Sequence, residues 1–140
     1  MNTTQRADGA EGLRSPNSRL AAGEAQRRRV LGDAHVDRSQ KNATPFSQPL
    51  QELVTEYCWG EIWTRPGLPL QTRSLINIAM LTALGRLEEL QLHVRGAINN
   101  GCTAEDIQEV LLQTAIYCGV PAALDATRTA QRTLEAIADE

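Results

Sequence analysis

The chain has 140 residues with a formal net charge of −3, and 41% of its residues are hydrophobic. This length suits one domain, while a weakly acidic charge gives no broad basic field for a nucleic-acid partner. No apolar run approaches the roughly 18 residues of a membrane span, and the basic run at residues 27–29 precedes no long apolar region, so we expect neither a membrane span nor a secretion signal.

Aliphatic residues dominate the apolar fraction, since the chain has only two Trp, two Tyr and one Phe. Such a composition suits helices packed on helices. Cys58, Cys102 and Cys118 are odd in number and widely spaced, which fits neither a disulfide framework nor a zinc site or a Cys-x-x-Cys redox pair. We therefore expect an all-α, single-domain helical bundle of about six helices in a reducing, cytoplasmic environment, with the thiols acting as small apolar side chains.

The N-terminal third of the chain offers little apolar surface. Residues 1–17 have no periodic apolar pattern and predict a disordered tail. From Ser18, a candidate N-cap, a helix runs to the candidate C-cap Gly32, and its thin apolar face predicts that it docks on another part of the chain. The following residues, up to position 46, predict an extended arm that carries His35.

Residues 47–140 are expected to form the helical core. A first helix starts at Ser47 and ends by Thr64, before the turn signal Arg65-Pro66-Gly67. Residues 71–84 are apolar on nearly every face beyond the first turn, so we expect this segment to be the central buried helix.

Three more helices complete the predicted bundle. One covers residues 87–100 and is closed by Gly101. The next begins at a capping box formed by Thr103 and Asp106 and ends at residues 119–121. The last runs to the C-terminus and carries a narrow, alanine-rich seam that suits close packing.

One of the two histidines of the chain, His93, lies on the predicted helix 87–100. At about 100° per residue it falls at the edge of the apolar face, on a stripe that also holds Glu89 one turn earlier. A hydrogen bond from a ring nitrogen to the Glu89 carboxylate would fix the tautomer and give the outline of an acid–base pair. The alternative is a histidine that caps the edge of the core. A metal site is disfavoured, because only one histidine and one carboxylate come together.

Two tryptophans and two arginines surround the predicted turn. Trp59 and Trp63 are four residues apart and share a helix face, which suits either core anchors or the wall of a binding site. Arg65 and Arg73 flank the turn, and two guanidinium groups near an aromatic wall would suit a small dianionic acid. Ordinary surface salt bridges explain the arginines equally well, so periodicity leaves both interpretations open.

Several motifs, in order, resemble those of the 4-carboxymuconolactone decarboxylase family over about residues 30–138. They are GDAHVDRS at 32–39, WGEIWTRPGL at 59–68, TRSLINIAMLTAL at 72–84, ELQLHVRGAINNG at 89–101 and VLLQTAIYCGVPAA at 110–123. The resemblance implies an all-helical subunit of the alkylhydroperoxidase-like fold, formed by residues 18–140 and assembled as a ring-shaped homohexamer. It also implies decarboxylation of 4-carboxymuconolactone to 3-oxoadipate enol-lactone in protocatechuate catabolism, the β-ketoadipate pathway.

The chemistry implied by the resemblance needs no metal and no organic cofactor, because the substrate's own unsaturated ring accepts the electrons. His93, held by Glu89, would donate the proton. Glu61 would disfavour the departing carboxylate by its negative charge or would serve as an alternate acid.

The remaining candidates would bind the substrate. Arg65 and Arg73 would hold its carboxylates, and Trp59 and Trp63 would line the pocket and exclude water. His35 would close the site from the same or a neighbouring subunit, with an ordinary surface histidine as the alternative.

Three other functions stay open. A relative on the same scaffold could process a different lactone or another small carboxylic acid. A thiol-dependent peroxidase is disfavoured, because thiol peroxidases of the superfamily carry C-x-x-C-x-x-x-H and here Arg86 and Glu89 stand where the two cysteines would be. A non-catalytic oligomeric binding module would be favoured by an apolar pocket without convergent arginines.

Overall fold

The computed structural model describes residues 16–140, and in this range the chain folds into helices without a strand. The predicted tail at residues 1–17 lies outside the described residues except for its last two positions, which belong to the first helix. The helices are α1 Pro16–Leu31, α2 Asp33–Asn42, α3 Gln48–Leu53, α4 Leu70–Leu84, α5 Leu87–Asn99, α6 Ala104–Tyr117 and α7 Val120–Ala138. The all-α prediction is confirmed, with seven α-helices in the described range instead of about six.

The extra helix is α2, where the sequence predicted an extended arm, and that prediction is wrong. Gly32 has φ +90° and ends α1, so the chain turns before it becomes helical again. Arg28 of α1 then pairs with Asp33 at 3.1 Å and with Asp37 at 2.8 Å, while Val36 is buried. These contacts with α1 stabilise a helix whose own composition is polar.

The helix that starts after Ser47 changes its geometry partway along. α3 continues directly into a π-helix, Val54–Ile62, which ends with a hydrogen bond from the Trp63 nitrogen to the Cys58 oxygen at 3.0 Å. This i→i+5 spacing widens the helix, and such segments occur often at functional sites. The predicted turn at residues 65–67 separates this helix from α4 as expected.

Helix α1 docks on the π-helix, which confirms the expectation that it packs on another part of the chain. The two backbones touch, because a Cβ atom on Gly23 would collide with the carbonyl oxygen of Thr55 and one on Gly60 with that of Arg19. The side chain of Gln26 adds a hydrogen bond to the Trp63 carbonyl at 3.0 Å. Only glycine permits so close an approach.

One side of helix α4 packs against α5, α6 and α7. The prediction that α4 is a central buried helix is therefore correct for that side. Ser74, Ile78 and Thr82 form the buried line of this helix. The opposite side of the helix is exposed in the structure, with Met80 at 49% and Leu84 at 72% exposure. The prediction of burial on nearly every face is therefore wrong for the isolated chain.

Two apolar clusters hold the fold together. The larger joins α4, α5, α6 and α7 and centres on fully buried residues such as Ile78, Leu90 and Val94. The smaller joins the end of α1 to the π-helix and includes Trp59 and Trp63. The predicted capping box of Thr103 and Asp106 starts α6, with both of its hydrogen bonds present. Within residues 16–140 no helix combines the length and the hydropathy that a membrane crossing requires.

Candidate active site

An aromatic stack forms where the smaller apolar cluster meets α5. The ring centroids of Trp59 and Trp63 are 4.8 Å apart with an interplanar angle of 22°. The imidazole of His93 stacks on both indoles, with centroid distances of 6.2 Å to Trp59 and 6.0 Å to Trp63. The sequence placed the tryptophans on one helix face, and the structure brings that face against the histidine of α5.

Helix α5 explains why His93 reaches this position. Leu90, Val94 and Ala97 are fully buried and fix one side of the helix in the larger cluster. His93 lies next to this buried face and is only partly buried. Its ring therefore projects away from the larger cluster and contacts the tryptophans. Both tryptophans are almost completely buried, at 3% and 4% exposure. They therefore act as core anchors and as the wall of the histidine site at the same time.

The hydrogen-bond contact of the imidazole comes from Asn77 of α4. Its Nδ2 atom lies 3.4 Å from Nδ1 of His93. Because an amide nitrogen only donates, Nδ1 accepts this long hydrogen bond and the ring proton lies on Nε2. Glu89 instead pairs with Arg86, at 3.0 Å between Oε1 and Nη2. The predicted hydrogen bond between the ring and the Glu89 carboxylate is thus wrong in this structure.

Burial sets the protonation state of His93. Desolvation, followed by the positive charge of His35, lowers the pKa of the His93 imidazole to about 4, and the charge of Glu89 only partly offsets the shift. The ring is therefore neutral near pH 7 in the free protein. The influence of His35 also shows that α2 brings the second histidine of the chain into the neighbourhood of the first.

The two candidate arginines are adjacent to each other. Nη2 of Arg73 donates to the carbonyl oxygen of Arg65 at 3.1 Å, while Arg65 itself is exposed. Nε of Arg73 is buried without a hydrogen-bond partner. Arg73 also lies one turn before Asn77 on α4, so these two side chains share a face of that helix.

The last two candidates occupy different surroundings. Glu61 is exposed, and the charges that shift the pKa of His93 are those of His35 and Glu89. His35 is partly buried, its Nε2 lies 3.5 Å from the Ser39 hydroxyl, and burial together with the charges of Arg27 and Arg38 lowers its pKa. His35 is therefore more than an ordinary surface histidine, whereas Glu61 lies outside the stacked cluster.

Cysteine chemistry finds little support in the described residues. Cys102 is buried and donates weakly to the Gln71 carbonyl. Burial raises the pKa of the Cys58 thiol, with a smaller opposing effect of Arg27, and burial also raises that of Cys102. A raised pKa leaves less of the reactive thiolate. Within residues 16–140, no three His, Cys, Asp or Glu side chains come together as a metal would require.

Sequence reasoning missed two features of this site. Asn77 lies one turn after Arg73 and is one of several polar residues on α4, so the sequence does not single it out. The electrostatic effect of His35 on His93 acts between α2 and α5, and no local sequence pattern predicts it. Together these contacts describe a candidate site on a helical scaffold, in which a neutral imidazole lies against an aromatic wall, an arrangement that suits proton transfer.

Comparison with known proteins places the chain in a family. The sequence profile of the carboxymuconolactone decarboxylase family matches residues 48–132. The 4-carboxymuconolactone decarboxylase of Acinetobacter baylyi is 44% identical over 109 residues, which are 78% of this chain and 81% of that protein. The nitrosuccinic acid decarboxylase npaB of Metarhizium robertsii is also 44% identical, over 114 residues that are 81% of this chain and 80% of the relative. A 4-carboxymuconolactone decarboxylase sequence of Pseudomonas putida is 44% identical over 43 residues, 31% of this chain and 90% of that protein.

The chain belongs to the carboxymuconolactone decarboxylase family. It is a carboxy-lyase, an enzyme that cleaves a carbon–carbon bond and releases CO2.

Proposed function

We propose that this enzyme decarboxylates 4-carboxymuconolactone to 3-oxoadipate enol-lactone and CO2 in the cytoplasmic catabolism of protocatechuate. The observation that carries the proposal is the imidazole of His93, stacked on Trp59 and Trp63 and in contact with Asn77 of α4. The similarity to a 4-carboxymuconolactone decarboxylase over about four fifths of both chains supports the choice of substrate.

The substrate itself supplies the electron sink. Its departing carboxylate is attached to a ring carbon that an alkene connects to the lactone carbonyl. When the bond to CO2 breaks, its electron pair moves into this conjugated system and forms a dienolate. The protein must therefore bind two anionic groups, stabilise the charge on the lactone oxygen and deliver one proton to a ring carbon.

His93 is the proton donor in this proposal. The free protein holds the ring neutral, because the pKa is about 4. A bound dianion raises that pKa, since negative charges nearby favour the imidazolium, so the proton enters from solvent as the substrate binds. Transfer of this proton to carbon returns the ring to its neutral form. A positioned general acid typically contributes about 10²–10⁴ in rate.

The other residues prepare the substrate. Arg73 offers a guanidinium whose buried Nε has no partner, and with Arg65 it would hold a carboxylate. The tryptophans exclude water on one side of the imidazole. Glu89 weakly favours the protonated ring by its charge. Glu61, which is exposed, is the alternate acid.

A second substrate has a specific observation in its favour. The npaB relative is named a nitrosuccinic acid decarboxylase and is as similar to this chain as the lactone enzyme. Nitrosuccinic acid is also a dicarboxylic acid, and its nitro group can accept electrons. The same cationic site and proton donor would serve both reactions, so the scaffold alone does not fix the substrate.

A substrate panel tests the proposal. Purified enzyme is incubated with 4-carboxymuconolactone or nitrosuccinate, and CO2 release is compared with the spontaneous rate of each compound. We expect the larger kcat/KM with the lactone. A larger value with nitrosuccinate would replace the proposed substrate, and rates equal to the spontaneous ones for both would reject it. A Cys58→Ser variant should retain the activity, whereas loss of activity would favour thiol chemistry.

We also propose that subunits associate, as the homohexamer implied by the resemblance requires. Large apolar side chains are open in the single subunit, among them Phe46 at 97%, Tyr117 at 83% and Ile116 at 81% exposure. An apolar groove of about 550 Å³ lies between α6 and α7 and contains none of the candidate site residues. Apolar surface of this extent is typical of subunit interfaces. Light scattering during size-exclusion chromatography would give six subunits, and a monomer would contradict the proposal.

A further inference from the structure

A polar cavity of about 350 Å³ lies between α2 and the start of α3. Its size is at the lower end of the range for small-molecule sites. It is lined by His35, Arg38, Ser39, Asn42, Ala43, Ser47 and Gln51. This described wall contains hydrogen-bond donors and the guanidinium of Arg38 but no carboxylate, a composition that suits an anion.

Helix α2 separates its charges by face. The residues of α2 that line the cavity are those at positions 35, 38, 39 and 42. They share one face of the helix, because they follow the i, i+3, i+4, i+7 spacing. Its two acidic residues, Asp33 and Asp37, instead pair with Arg28 of α1. The acids that could neutralise the cavity are therefore engaged elsewhere, and the cationic face of α2 is left for a ligand.

A buried arginine lies behind this wall. Arg27 is only 8% exposed, and Nη1 donates to Gln51 Oε1 at 3.1 Å and to Thr55 Oγ1 at 3.5 Å. Its Nε atom is buried without a hydrogen-bond partner. No carboxylate forms an ion pair with Arg27 among the described residues. A buried cation without an anion is costly unless a ligand supplies the negative charge.

The cavity is connected electrostatically to the active site. His35 lines the cavity and its charge is felt by His93, while the charges of Arg27 and Arg38 are felt by His35. An anion in the cavity would therefore contact a group that communicates with the proposed proton donor.

We propose that the cavity between α2 and α3 is a subsite for one carboxylate of the substrate, with Arg38 and His35 contacting the anion and Arg27 supplying positive potential from behind Gln51. The identity of the substrate in this inference rests on the proposed function, whereas the binding of a carboxylate in the cavity does not. It divides the two substrate anions between two places, Arg38 with His35 at one end and Arg65 with Arg73 at the other. The enzyme would thereby select dicarboxylic over monocarboxylic acids.

Succinate is a suitable probe, because it is a dicarboxylate that the enzyme has no electron sink to decarboxylate. The chain has two histidines, so NMR of the imidazole carbons of the full-length protein reads His35 and His93 separately. The variants are Arg38→Gln and the matched control Lys41→Gln, which removes an equal charge from the exposed side of the same helix. Sodium chloride keeps the ionic strength constant.

Bound succinate should raise the pKa of His35 by about one unit or more in the wild type and in Lys41→Gln. Arg38→Gln should raise the pKa of His35 without ligand and lose most of the succinate response. A succinate response of equal size in Arg38→Gln would overturn the subsite, as would a response confined to His93 or no response from either ring.

Kinetics separate this inference from the proposed function. Arg38→Gln should raise the KM of the lactone about tenfold or more while kcat changes less, and Lys41→Gln should leave both unchanged. Succinate binding at His35 in an enzyme that does not decarboxylate the lactone would keep the subsite and reject the proposed function. If the enzyme decarboxylates the lactone and Arg38→Gln leaves the KM unchanged, the proposed function is kept and the subsite is rejected.

Discussion

The buried imidazole of His93 should make the stability of the protein depend on pH. We consider a His93→Gln variant, whose side chain is neutral at every pH and still offers an amide to Asn77. The folded wild type holds the pKa of His93 at about 4, below the value of 6.5 expected in the unfolded chain. The depressed pKa means that stability is complete above about pH 6.5 and is lost as the pH falls toward 4.

The magnitude follows from proton linkage. Between pH 8 and pH 5 the unfolded chain takes up a proton on this histidine and the folded chain almost does not, which costs the wild type about 2 kcal/mol. The loss approaches about 3 kcal/mol at pH values below both pKa values. Other groups that titrate in this range are common to both proteins, so the difference between wild type and variant isolates His93.

Urea unfolding followed by circular dichroism at pH 8 and pH 5 provides the measurement. The protein concentration is held fixed, because association would make the apparent stability depend on it. The free energy of unfolding of the wild type should fall by about 2 kcal/mol more than that of His93→Gln. A difference between the two proteins that does not change with pH would refute the reasoning, because the folded ring would then take up its proton as readily as the unfolded one.

Three further predictions follow from the packing and the polar contacts. Gly23→Ala should lower the free energy of unfolding by about 1–3 kcal/mol or more, since its Cβ meets the Thr55 carbonyl, whereas Gly67→Ala has open space and should change it little; equal urea midpoints would contradict the close helix contact. Asn77→Asp should raise the pKa of His93 by about 1–3 units in an NMR titration, because it places a negative charge beside Nδ1, and an unchanged pKa would mean that the two side chains do not meet. Arg73→Lys should chiefly raise the KM of the substrate, because lysine cannot make a planar two-point contact with a carboxylate, and an unchanged KM would make Arg73 a structural residue.

The helices of residues 47–140 were predictable, because apolar periodicity, caps and turn residues agree there. Helix α2 was not, because its composition is polar and ion pairs to Arg28 on the preceding helix stabilise it. The π-helical geometry was missed for a related reason, since the close backbone contact at Gly23 and Gly60 comes from a different helix.

The site was predictable where its members share one helix. Trp59 and Trp63 stack as their spacing suggests, and His93 lies at the edge of the apolar face of α5. The partner of its ring was predicted wrongly, because spacing within a helix favoured Glu89 while the contact comes from Asn77 across the helix interface. Contacts between helices depend on packing, which one sequence does not specify locally.

The most direct test of the account is the turnover of 4-carboxymuconolactone by His93→Gln and by the wild type, measured as CO2 release on preparations with the same oligomeric state. The account predicts that kcat falls by about 10² or more, because the general acid is lost. A variant that releases CO2 at close to the wild-type rate would show that His93 does not deliver the proton.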